Sequence, residues 1–152
     1  MSGIINRAGS KSGIINNGKG IGFFACGNGE GSVAYADNAV IILATVPYNE
    51  GNGYDNSNGR FTAPVTGLYH FDVIFYPYGG SNVYAIYLTD SAAVDWGRMR
   101  HNFNDDQMGT WSQNAYLTKG MYIFVKSTGG TRTFYLGNKS HTRFSGHLIG
   151  EE

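Results

Sequence analysis

Cysteine is nearly absent from this 152-residue chain: Cys26 stands alone, so no intramolecular disulfide can staple the fold. Stability must therefore come from packing and association. Charge is sparse as well, at 14% of residues, and the eleven basic and eleven acidic side chains cancel. That balance leaves no broad positive field to draw the chain to nucleic acid or an anionic membrane. No apolar run approaches the length that spans a bilayer, which argues against membrane insertion. Ile4-Ile5 is too short for the apolar region of a signal peptide, so export by an ordinary secretory signal is not expected. No segment sustains a helical period, and the composition is not the Ala-, Leu-, Glu- and Lys-rich one of helical proteins.

Catalytic constellations are missing too. His70, His101, His141 and His147 are scattered without metal-ligand spacing, and no acid sits at a helical offset that would complete a zinc site. Cys26 reads as a small core residue on the first strand. Ser145 lacks the flanking pattern of a nucleophile elbow. The glycine-rich stretches 18–22 and 27–31 open no helix that could cradle a phosphate. Hard oxygen ligands for calcium are offered by Asp105 and Asp106, and by Asp55, against the plainer reading of solvated loop acids. These features point away from an enzyme and toward a module without a cofactor, calcium being the one candidate.

What the chain does contain is glycine (23), tyrosine (11) and phenylalanine (9), with 41% apolar residues, enough for one core. Aromatic, glycine-rich chains of this size form β-sandwiches or barrels. Short apolar runs alternate with turn clusters from residue 21 onward, placing strands near 21–26, 39–48, 59–63, 67–77, 82–89, 94–101, 111–118, 121–127, 132–136 and 143–149. Along Gly67 to Pro77, Tyr69, Phe71, Val73 and Phe75 share the face expected in the core. The stretches 83–88 and 121–125 are apolar on both faces, whereas a sandwich covers only one. Either they lie at a two-sheet centre or the second face meets another subunit. On the second reading Tyr84, Ile86, Leu88, Tyr122 and Phe124 are the interface candidates.

The region from Leu43 to Phe71, with Asn49, Tyr54, Phe61, Gly67, Tyr69 and Phe71 at characteristic spacings, closely resembles the signature of complement C1q globular heads. Phe23-Phe24-Ala25 resembles the first strand of that family, the segment 116–123 its Leu-x-x-Gly-Asp-x-Val stretch, and Phe144-Ser145-Gly146 through Ile149 its closing strand. Leu43 and Val73 replace aromatic residues usual there, and Met121 replaces an aspartate. The resemblance, over residues 21–149, implies an all-β, ten-stranded jelly-roll sandwich of the C1q and tumour-necrosis-factor type, packed as a homotrimer. Independently of the family, Gly59 and Gly67 suit turns that need positive φ, and Phe61, Tyr69 and Phe71 suit a core. Such a motif speaks for fold and not for ligand.

Residues 1–20 stand apart as an extended docking arm ahead of a domain at 21–152. They repeat Ser-Gly-Ile-Ile-Asn at a spacing of ten, and Ile4, Ile5, Ile14 and Ile15 are apolar pairs unusual in a free tail. This opening resembles N-terminal segments of structural proteins from bacteriophages, notably marine ones. The resemblance implies a virion protein, assembled in the host cytoplasm and exposed on the particle surface. Its partners would be further copies of itself, a phage capsid or tail protein, and a glycan or protein of the host surface. It would decorate the shell or serve as a short adhesion fibre or knob. A free soluble C1q- or TNF-like trimer that binds a receptor or glycan is the alternative.

Overall fold

Period-two alternation over Gly67–Phe75 places Tyr69, Phe71, Val73 and Phe75 in the interior, with Leu68, His70, Asp72 and Ile74 on the outer surface. The same logic repeats along the chain. The computed structural model describes residues 20–79, 82–103, 107–137 and 139–152, with the backbone alone at 82–84, 101 and 103. Among the described residues there are twelve strands and no helix: β1 Gly22–Cys26, β2 Ser32–Tyr35, β3 Thr45–Glu50, β4 Tyr54–Asp55, β5 Arg60–Thr62, β6 Gly67–Phe75, β7 Asn82–Asp90, β8 Asp95–Phe103, β9 Gly109–Leu117, β10 Tyr122–Thr128, β11 Arg132–Tyr135 and β12 Arg143–Glu151. Ten of them form two five-stranded sheets, ordered β3-β1-β12-β6-β9 and β4-β5-β10-β7-β8; β2 and β11 form a separate ribbon. All paired strands run antiparallel. The non-sequential neighbours are the crossovers of a jelly roll.

Aromatic rings fill the space between the sheets. Phe23 lies 4.9 Å, centroid to centroid, from each of Tyr54, Phe61 and Phe144. Phe71 sits 5.6 Å from Phe61 and 5.7 Å from Phe144. These are offset or edge-on contacts that add to the burial of large apolar rings. They join residues far apart in sequence, so the core itself fastens one sheet to the other.

Three expectations are corrected. The strand expected over 39–48 begins only at Thr45. Upstream, Ile41 and Leu43 are buried while Ile42 and Ala44 are exposed, so the alternation is present without a ladder. That stretch docks by isolated bonds, Ile41 N to Val125 O at 2.8 Å and Ser127 N to Ala39 O at 2.9 Å. β2 and β4 were not anticipated, being short and flanked by glycine or turn residues. Finally, Gly59 has the expected positive φ of 75°, but Gly67 does not. Gly67 is needed instead because a Cβ there would collide with the Gly150 carbonyl oxygen on β12.

Candidate functional site

The motif residues build the frame. Asn49 at the end of β3 holds both backbone groups of Tyr54: its Nδ2 donates to the Tyr54 carbonyl at 2.8 Å and its Oδ1 accepts from the Tyr54 N–H at 3.0 Å. Burial raises the Tyr54 phenol well above its ordinary range, although its hydroxyl reaches the Leu43 carbonyl at 3.4 Å. Tyr69 donates to the Val65 carbonyl at 2.7 Å, tying down the turn before β6. Phe61, Phe71 and Phe144 are core, and Gly146 leaves room for the Phe71 ring. None of these side chains is presented to a ligand.

Two outer faces remain, and they differ in chemistry. The β3-β1-β12-β6-β9 sheet is apolar along its rim. Leu68 on β6 stands opposite Tyr116 on β9, and both are exposed, as are Tyr48 and Ile149. Phe24 stacks beside Tyr48 at 6.4 Å. In its middle His70 and His147 face one another across β6 and β12 at 5.4 Å. His70 Nδ1 bonds the Asn114 amide oxygen at 2.7 Å, and its Nε2 approaches Asp72 at 3.3 Å. Sequence reading missed this pair because 77 positions separate the two histidines and only the strand register joins them.

The β4-β5-β10-β7-β8 sheet is cationic. Register puts Arg60 beside Phe124, Lys126 beside Tyr87, Tyr87 beside Arg98, and Ala85 beside Arg100, all directed outward. The Arg60 guanidinium covers Tyr122 at 4.4 Å and Phe124 at 5.9 Å. Lys126 pairs with Asp95 at 3.1 Å and lies 5.4 Å from the centre of the Tyr87 ring. The turn between β7 and β8 is organised by buried Asp90. Its Oδ1 accepts from the amides of Ala92 and Val94 at 2.8 and 3.0 Å, and its Oδ2 accepts from the Trp96 indole at 2.8 Å.

The interface candidates therefore divide. Ile86 and Leu88 are 1% and 0% exposed and belong to the protomer's own core, so they cannot meet a partner; the two-sheet centre explains them. Tyr122 and Phe124 do point outward, but under Arg60. The Tyr84 side chain, Asp105, Asp106, and the arm isoleucines Ile4, Ile5, Ile14 and Ile15 lie outside the described residues. Asp55 is occupied within its own turn, accepting from Ser57 N at 2.8 Å, Ser57 Oγ at 2.6 Å and Asn58 Nδ2 at 2.6 Å. These bonds hold its carboxyl below the usual range.

Two antiparallel five-stranded sheets closed over an aromatic core define a jelly-roll module of the C1q and TNF class. The C1q domain family matches residues 23–149, and the chain belongs to that family. Solved structures agree on the fold. Eiger TNF from S. frugiperda superposes with a TM-score of 0.68 at 16% identity, over 88% of this chain and 95% of that one. The globular domain of zebrafish complement 1qA gives 0.66 at 14% identity, over 88% and 100%. Murine APRIL at pH 5.0 gives 0.70 at 12% identity, over 86% and 100%. Members of these families form homotrimers and are typically non-enzymatic binding or structural modules.

Proposed function

We propose that this chain is a homotrimeric, non-enzymatic module of a bacteriophage particle. Residues 1–20 attach it to a capsid or tail protein, and the jelly roll stands outward as a decoration protein or a short adhesion knob. The observation that carries the trimer is the contrast between the two outer faces. Exposed Leu68, Tyr116, Tyr48 and Ile149 favour burial against further copies. The opposite sheet presents Arg98 and Arg100, both exposed and two residues apart on β8, which would repel their own copies around a symmetry axis. The interface thus moves to the β3-β1-β12-β6-β9 sheet. The setting is supported by the Ser-Gly-Ile-Ile-Asn repeat, whose four isoleucines suit a groove on a larger assembly.

The test is co-sedimentation of the purified full chain, and of a form lacking residues 2–20, with particles stripped of it. The full chain is expected to bind at a fixed copy number and the shortened form to remain free. Equal attachment of both forms would refute docking through the arm.

A further inference from the structure

In the middle of the β3-β1-β12-β6-β9 sheet two imidazoles are held side by side. His70 on β6 and His147 on β12 are paired in the strand register, with ring centroids 5.4 Å apart. His147 is exposed and His70 is half-buried. Their surroundings differ. The Asn114 amide oxygen, 2.7 Å away, takes the Nδ1 proton of His70, so the nitrogen left to accept a second proton is Nε2, which faces Asp72 at 3.3 Å. A charge on His70 thus meets an acid. His147 has no such neighbour. On its other side stands Gly22 of β1, which has no side chain, and Ser145 and Ile149 lie two residues to either side along β12.

The remaining charged groups of this face are further off. Glu50 on β3 is paired with Gly22 and so lies two strands from His147, roughly 10 Å in the hydrogen-bonding direction. Arg143 and Glu151 are each four residues along β12, roughly 13 Å away and of opposite sign. Glu152 is engaged by the Tyr116 hydroxyl on β9. Two imidazoles therefore share one adjacent acid.

From this geometry we infer that the His70–His147 pair makes assembly of the chain acid-sensitive: with both rings protonated, each copy carries one unmatched positive charge on the face that copies bury. The inference rests on the reading of this sheet as the interface between copies. Histidine ordinarily gains its charge near pH 6.5, while carboxylates stay ionised down to about pH 4, so a fall from about pH 7.5 to 5.5 acts on this face through its imidazoles. In a separated copy, water screens two charges at this distance. Covering the face removes that water and strengthens the repulsion, so the assembled state disfavours the second proton. A state that binds fewer protons loses ground as pH falls; the trimer therefore weakens in acid and is restored as pH rises. One proton refused by each of three chains corresponds to a fall of up to about a thousandfold in the association constant for each pH unit below 6.5.

The experiment uses the full chain. Its mass is measured by sedimentation equilibrium at pH 7.5. The rate at which two stocks with different fluorescent labels at the N-terminus exchange subunits is then followed by energy transfer at pH 7.5 and 5.5. A trimer is expected at pH 7.5, with exchange at least about tenfold faster at pH 5.5. His147→Gln, which cannot be charged, should exchange at one rate at both pH values. His147→Lys, charged at both, should exchange at pH 7.5 at least as fast as the parent does at pH 5.5. If His147→Gln does not fold, His147→Phe is read in its place with the same expectation. A monomeric parent at pH 7.5 would end the interface reading and the acid response with it. A trimer whose exchange is unchanged or slower in acid, or whose acid response persists in the uncharged variant, would overturn the acid response and leave the interface standing.

Discussion

Asn49 and Tyr54 form a closed pair in which one side-chain amide satisfies both the N–H and the carbonyl of the other residue, at 3.0 and 2.8 Å. The amide thereby does the work of a neighbouring strand where β3 turns into β4. Asn49→Ala should leave two part-buried backbone groups unmatched and cost about 2 kcal/mol, read as a lower urea midpoint with an unchanged slope. Asn49→Asp, which keeps the acceptor and loses the donor, should fall between the two.

Asp90 takes three hydrogen bonds while 3% exposed, two from the turn it precedes and one from the Trp96 indole. Asp90→Ala should destabilise the protein by about 3 kcal/mol, because the amides of Ala92 and Val94 and the indole lose their acceptor together. Tryptophan fluorescence should report a change at Trp96. Asp90→Asn, which retains an acceptor, should cost less.

Stability should fall at both ends of the pH scale for identifiable reasons. Partial burial alone would raise Asp95, but the hydrogen bond from Thr89 at 2.6 Å and the pairing with Lys126 more than offset it, and its carboxyl lies below the ordinary range. A depressed carboxyl contributes stability above its unfolded value of about 3.9 and loses it as pH falls through the folded value. At the alkaline end, burial raises Tyr54. A raised phenol contributes stability below its unfolded value of about 10, and that contribution declines as pH climbs beyond it. Urea midpoints across pH should show Asp95→Asn flattening the acid limb and Tyr54→Phe flattening the alkaline limb, neither altering the other.

Much of this architecture was legible in the chain because its causes are local. The alternation along Gly67–Phe75 and the spacing of Asn49, Tyr54, Phe61, Gly67, Tyr69 and Phe71 pointed to strands, core and family before any contact was known. The chemistry of the outer faces was not legible, since it depends on register. Ile86 and Leu88 resembled interface residues because an apolar run does not say which of its faces is already covered. The meeting of His70 with His147 follows from strands that pair across a long sequence separation. Asn49 was recognisable as a motif position, yet its role as a bridge to Tyr54 required the turn.

The division of labour between the two outer faces is tested most directly by the mass of the full chain in solution, by sedimentation equilibrium, beside Leu68→Glu and Arg98→Glu. The parent and Arg98→Glu are expected at three times the chain mass of 16.5 kDa, and Leu68→Glu as a folded monomer, since its charge would sit on the apolar face opposite Tyr116. A monomeric parent, or a trimer that survives Leu68→Glu and dissociates with Arg98→Glu, would overturn the assignment of the two faces.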